Sequence, residues 1–243
     1  MPHSSFDIFR RPADGYRPST AGSALRALGA DLAPREIFIY RATSAKPLDE
    51  EPVDLAAIER ILSRPDLDVE TNIMLINLFQ RLVKDPDSEV ALFAAESINT
   101  IENRYNRSIE KLKRSISPDK ESRLARLYYE LSLLHEESLS LKKFYLREAF
   151  SHLHSLEKSG RLEKEEVALL VHVLLDLNLE DHAEHSLKKY AREEDPYSLL
   201  LQAEIAFRRR DFIRVLQVTT ELSQHLDDLD EAGRLVLATW LEI

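Results

Sequence analysis

Leu199–Leu222, LLLQAEIAFRRRDFIRVLQVTTEL, is the stretch whose reading decides the fold. It reads as two short helices broken by a polar turn. Ala203 and Ala206 stand one turn apart on the first helix, small enough for a neighbouring helix to come close. Arg208-Arg209-Arg210-Asp211 supplies the turn, and Phe212, Val215, Leu216 and Leu222 give the second helix its apolar stripe.

The same helical periodicity runs through the chain from Val53 onward. Asp54 caps a helix carrying Leu55, Ile58, Ile61 and Leu62, which ends at Arg64-Pro65-Asp66. Asp68 or Glu70 opens the next, with Ile73, Ile76, Leu78, Phe79, Leu82 and Val83 inward. Asp87-Ser88 caps a third, with Val90, Phe93, Ala94, Ile98 and Ile101 on one side and a continuation through Tyr105 and Leu112. After Ser117-Pro118, one helix holds Leu124, Leu127, Tyr128, Leu131 and Leu134. Its successor holds Phe144, Leu146, Ala149, Phe150, Leu153 and Leu156 and stops at Ser159-Gly160. Val167–Leu177 pairs with Asp181–Tyr190, and Tyr197–Arg209 with Phe212–Leu226. A last helix, Leu229–Leu241, carries Leu235, Val236, Leu237, Trp240 and Leu241 and reads as a cap or a dimer face.

The second helices align on Ala149, Ala183 and Val215, which lie 34 and 32 residues apart. That spacing, Leu170, Val171 and Leu174 on a first helix, Ala183 and Leu187 on a second, and Pro196 at the end of the unit resemble the tetratricopeptide repeat, whose period is ~34. Tyr190 and Thr219 depart from its pattern. Asp85-Pro86-Asp87-Ser88-Glu89-Val90-Ala91-Leu92-Phe93-Ala94-Ala95-Glu96 resembles the junction and second helix of a HEAT-type repeat. A proline in the first turn and acids at the positive helix end suit such a start. Together they imply an all-α, right-handed α-solenoid of helical hairpins, HEAT-like over 53–117 and TPR-like over 118–243, with an extended tail over 1–52. A HEAT-like start followed by degenerate TPR-like units also looks like the cytoplasmic repeat part of PelE-type components of bacterial Pel polysaccharide machinery. That likeness implies a role in recruiting assembly proteins.

Composition agrees with helix. The chain has 243 residues, 44% apolar, enough for a sizeable core, and only 5 glycines. It has no cysteine, which excludes disulfides and thiolate chemistry and fits a reducing compartment. The start MPHSSFDIFRRP lacks a signal pattern and no long apolar window occurs, so a cytoplasmic location without membrane insertion is expected. A formal charge of −10 opposes binding to nucleic acid or an anionic membrane.

Residues 1–52 differ from the rest. They hold six of the ten prolines and seven basic against seven acidic residues, so the acidity belongs to 53–243. Ile37, Phe38, Ile39 and Tyr40 form a β-prone run too apolar for open water, with Phe6, Ile8 and Phe9 a second cluster. The run docks on the chain's own helices, on another protein or on a second copy.

Chemistry is hard to find. No Walker loop, GxGxxG, HExxH or GxSxG occurs. His182 and His185 share helical spacing but flank Ala183, a core residue, and His152 and His154 point apart, so no metal site, catalytic residue or cofactor is expected. The expected function is a non-enzymatic protein–protein scaffold. A peptide or helix would lie in a groove lined by Arg123, Arg126, Tyr129, Glu130, His172, Gln202 and Arg209, exposed positions on the first helices of the repeats. A self-assembling homo-oligomer module and a small-ligand sensor are the alternatives.

Overall fold

The computed structural model describes residues 55–64, 67–190 and 195–229. The tail over 1–52, including Ile37–Tyr40, and the segment carrying Leu235 and Trp240 lie outside the described residues. Among the described residues every regular element is helical: α1 (Leu55–Leu62), α2 (Val69–Leu82), α3 (Ser88–Lys113), α4 (Lys120–Leu134), α5 (Leu139–Lys158), α6 (Lys164–Asp176), α7 (Glu180–Tyr190), α8 (Pro196–Arg208) and α9 (Phe212–Leu222), with a 3-10 stretch over Ser223–Asp228. The chain divides into two compact units between Arg107 and Ser108, within α3.

In the first unit, Asp68 caps α2 by accepting from the Thr71 amide at 2.8 Å. Ile58, Ile61, Leu75, Ile76, Phe79, Leu82, Ala94 and Ile101 are buried. Arg104 donates to the Leu62 carbonyl at 2.7 Å and closes the end of α1, while Asn72 donates to the Tyr105 hydroxyl at 3.3 Å. Asp87 accepts from the Glu89 amide at 2.9 Å, which starts α3 at Ser88 as the sequence predicts.

The second unit is a stack of three hairpins, α4–α5, α6–α7 and α8–α9. Each helix packs on its hairpin partner, and each hairpin's second helix packs on the next first helix. The first helices also lie side by side, α4 beside α6 and α6 beside α8. Ala149, Ala183 and Val215 are all buried, as their register requires.

Three helix ends share one cap. The Asn178 amide bonds to Leu175 O and Leu179 N to Leu174 O. Arg210 N to Phe207 O with Asp211 N to Ala206 O repeats the pair 32 residues on, and Gly160 N to Glu157 O with Arg161 N to Leu156 O closes α5. This Schellman arrangement needs a left-handed residue, and Gly160, Asn178 and Arg210 stand at φ 66°, 58° and 60°. Glycine takes that conformation freely and asparagine tolerates it, whereas arginine pays for its Cβ.

Four residues expected inward face outward, among them Val83 at the end of α2, which is 42% exposed. Phe144 is 52% exposed, and on α9 Phe212 and Leu216 are 55% and 65% exposed. The buried arc of α9 is Val215, Val218, Thr219 and Leu222. Leu216 follows Val215 by 100° of helical rotation and falls off that arc. The two departures from the repeat pattern have local reasons. Tyr190 uses its hydroxyl to reach Glu157 of α5 at 2.8 Å, and Thr219 bonds back to the Val215 carbonyl at 2.9 Å.

Candidate functional site

Side chains from α4, α6 and α8 meet along one face because these three first helices are neighbours. Between α4 and α6, Ser122 donates to Glu166 at 2.6 Å, Arg126 to Glu165 at 3.4 Å, and Tyr129 stacks on His172 with ring centroids 6.5 Å apart. Between α6 and α8, Lys164 donates to Asp195 at 2.8 Å, His172 Nδ1 lies 3.2 Å from Glu204 Oε2, and Arg208 donates to Asp176 at 2.7 Å. The result is a lateral ladder of polar groups, with three contacts at each of the two junctions between neighbouring first helices.

Beside the ladder lies a recess of about 420 Å³. Ala168, Leu200, Leu201 and Phe207 give it apolar walls, with Tyr197 at one end and His172, Glu204 and Arg208 as its polar groups. Lys164 stands over the Tyr197 ring at 4.6 Å. An apolar concavity with a few convergent polar groups is the usual form of a binding site.

Electrostatics within the ladder are coupled. Burial pulls His172 down, but the hydrogen bond and charge of Glu204, aided by Asp176 and against Arg208, hold its pKa above the ordinary 6.5. Burial first, then the negative charges of Asp176 and Glu204, holds the Tyr129 phenol well above its ordinary value. The histidine therefore favours its cationic form beside Glu204.

The seven residues expected to share a groove are divided by the structure. Arg126, Tyr129 and His172 belong to the ladder, with Glu130 half-buried on α4 and Arg123 exposed. Gln202 and Arg209 line a different groove, of about 770 Å³, between α7 and α9 with α8 as its floor. There Arg209 is held by Asp181 and Glu184 of α7, and Arg214 donates to Gln202 at 3.3 Å. Gln202 and Glu204 are two positions apart on α8 and so lie on opposite sides of it. Asp176, Tyr197, Glu204 and Arg208 complete the site without having been expected there. The 32-residue register held the signal, because it carries His172 onto Glu204 and Asp176 onto Arg208, each a pairable partner.

A third polar centre joins second helices. Glu157 of α5 accepts from Tyr190 at 2.8 Å, Lys189 at 3.0 Å and His154 at 3.1 Å. The Tyr190 and Lys189 bonds lower its pKa to about 2. All of its groups are mutually paired, which suits it to tying α5 to α7. Among the described residues no group of three His, Asp or Glu side chains is placed to hold a metal ion, and no helix is long and apolar enough to cross a membrane.

No protein-family model matches the chain, and no curated protein or solved structure is significantly similar to it.

Proposed function

We propose that this chain is a cytoplasmic adaptor built as a right-handed, TPR-like solenoid, which holds a short peptide or helix of a protein partner against the face formed by α4, α6 and α8. The observation that carries this reading is the recess beside the ladder: apolar walls able to take one large side chain, with His172, Glu204 and Arg208 at hand for its backbone or neighbours. The repeat at 32 residues supports a stacked scaffold, since such stacks present one extended face from successive first helices.

The test is a peptide library displayed on phage and selected on the full chain, with recovered peptides measured against Ala168→Trp and Glu204→Gln. Ala168→Trp fills the recess and is expected to weaken binding about tenfold or more, the worth of ~1.4 kcal/mol. Equal affinity for the parent and both variants would remove the recess as the binding site.

A further inference from the structure

Helix α9 presents three flanks, set by about 100° of rotation per residue. Val218 and Leu222 pack on Leu199 and Ala203 of α8 and, with Val215 and Thr219, form the buried one. Arg214 and Glu221 lie on the second and line the groove toward α7. Phe212, Ile213 and Leu216 share the third, and Ile213 is 75% exposed. Phe207, at the end of α8, meets the Phe212 ring edge-on at 6.1 Å and carries this apolar flank across the turn. At about 200 Å² for a fully exposed large side chain, the four residues expose roughly 450 Å² between them, the size of a functional patch on a monomer.

Arg210 stands between Phe207 and Phe212 in the turn. Of the three arginines there, Arg208 is held by Asp176 and Arg209 by Asp181 and Glu184, whereas Arg210 has no carboxylate partner among the described residues. It also holds φ 60° where the ends of α5 and α6 place glycine and asparagine, which take a left-handed backbone with less strain. Strain of that kind is found where a side chain is needed for function rather than for the fold.

We propose that Phe207, Arg210, Phe212, Ile213 and Leu216 dock an amphipathic helix of a partner protein, which lays an apolar stripe along α9 and brings one carboxylate to Arg210. Phe212 and Leu216, four positions apart on α9, form a ridge against which a second helix packs at an interaxial distance of ~8–10 Å. Area and charge both disfavour a second copy of this chain. Stable dimers bury about 800 Å² on each partner, nearly twice this patch. An isologous contact also sets the patch against itself, and the patch offers Arg210 no free carboxylate: Asp211 caps α9 by accepting from the Arg214 amide, and Glu221 lies on the groove flank. The surface goes beyond the peptide site proposed above, since only Phe207 belongs to both, and positions outside the recess carry the test.

A phage library of alanine-rich helices with one randomised face is selected on the full chain, and the most enriched helix is synthesised and titrated against variants. Leu216→Glu and Ile213→Asp, both at exposed positions, are each expected to weaken binding about tenfold or more, the worth of ~1.4 kcal/mol, while Ala168→Trp leaves it unchanged. Arg210→Glu is expected to weaken it by a similar factor, recovered when the helix's carboxylate is replaced by lysine. Arg210→Gly should weaken binding while raising Tm, a combination that a purely structural arginine would not give. No enrichment above background, or an enriched helix indifferent to Leu216→Glu and Arg210→Glu, overturns the proposal. Loss on Ala168→Trp alone also overturns it and places that helix in the recess, so the two readings fail separately. Light scattering tests the other occupant: a parent dimer that Leu216→Glu converts to monomer would assign this flank to a second copy and overturn the helix partner.

Discussion

Arg210 holds a left-handed backbone at φ 60° that the previous hairpin gives to Asn178 and the end of α5 gives to Gly160. The Cβ clash in that region costs about 1–2 kcal/mol, partly offset in a glycine variant by the larger entropy of its unfolded chain. Arg210→Gly is therefore expected to raise stability by roughly 0.5–1 kcal/mol in urea unfolding, and Asn178→Gly by less. A loss of stability would mean that the Arg210 side chain makes a contact that matters. His172 makes a second residue-scale prediction. Its folded pKa lies above the ordinary 6.5, so the proton is bound more tightly in the folded chain. The stabilisation from its pairing with Glu204 is full below about 6.5 and is lost as pH rises through the folded value. Asp176, Arg208 and Tyr129 face the same ring, and their net effect is included in that direction. The stability gap between the parent and Glu204→Gln should be widest on the acid side and close with rising pH; a gap that does not vary with pH would exclude the pair as its source.

Small residues decide how closely elements approach. Ala149 and Ala183 are fully buried where the second helix of a hairpin meets its neighbours, and a larger side chain there must push packed helices apart. Ala183→Leu is expected to cost about 1–3 kcal/mol by overpacking, whereas Leu153→Ala, which empties a fully buried site on α5, should cost about 2–5 kcal/mol. Chemical denaturation measures both. An Ala183→Leu chain as stable as the parent would show that α7 does not approach its neighbours as closely as described. Aromatic stacking reinforces the first hairpin: Tyr128 of α4 lies 5.6 Å from His152 and 6.3 Å from Tyr145, both on α5, and Glu121 holds His152 at 2.7 Å. Second-helix ties such as Glu157 to Lys189 and Tyr190 join successive layers.

At the scale of the whole molecule, a net charge of −10 biases which partners the proposed site can hold. Peptides selected on the full chain are expected to be enriched in lysine and arginine, and their affinity should fall as salt rises because exposed charges are screened within about 10 Å at ~0.1 M ionic strength. Acidic peptides binding with no salt dependence would contradict that bias. The helical class, the hairpin order and the buried positions Ala149, Ala183 and Val215 were legible in the sequence, because a 3.6-residue apolar period and punctuation by Pro, Gly and capping acids are local properties of the chain. The left-handed cap at Arg210 was not, since only the closing bonds to Phe207 and Ala206 impose it on a residue that would otherwise avoid it. Nor could periodicity separate Gln202 and Arg209 from Tyr129 and His172. All four stand on or just beyond first helices, but the angle at which α8 lies between α7 and α9 turns two of them toward one groove, while the adjacency of α4 and α6 brings the other two together. Which residues become internal to a helix stack follows from sequence spacing. Which exposed residues share a surface depends on how helices distant in sequence are rotated against one another, and only tertiary packing settles that.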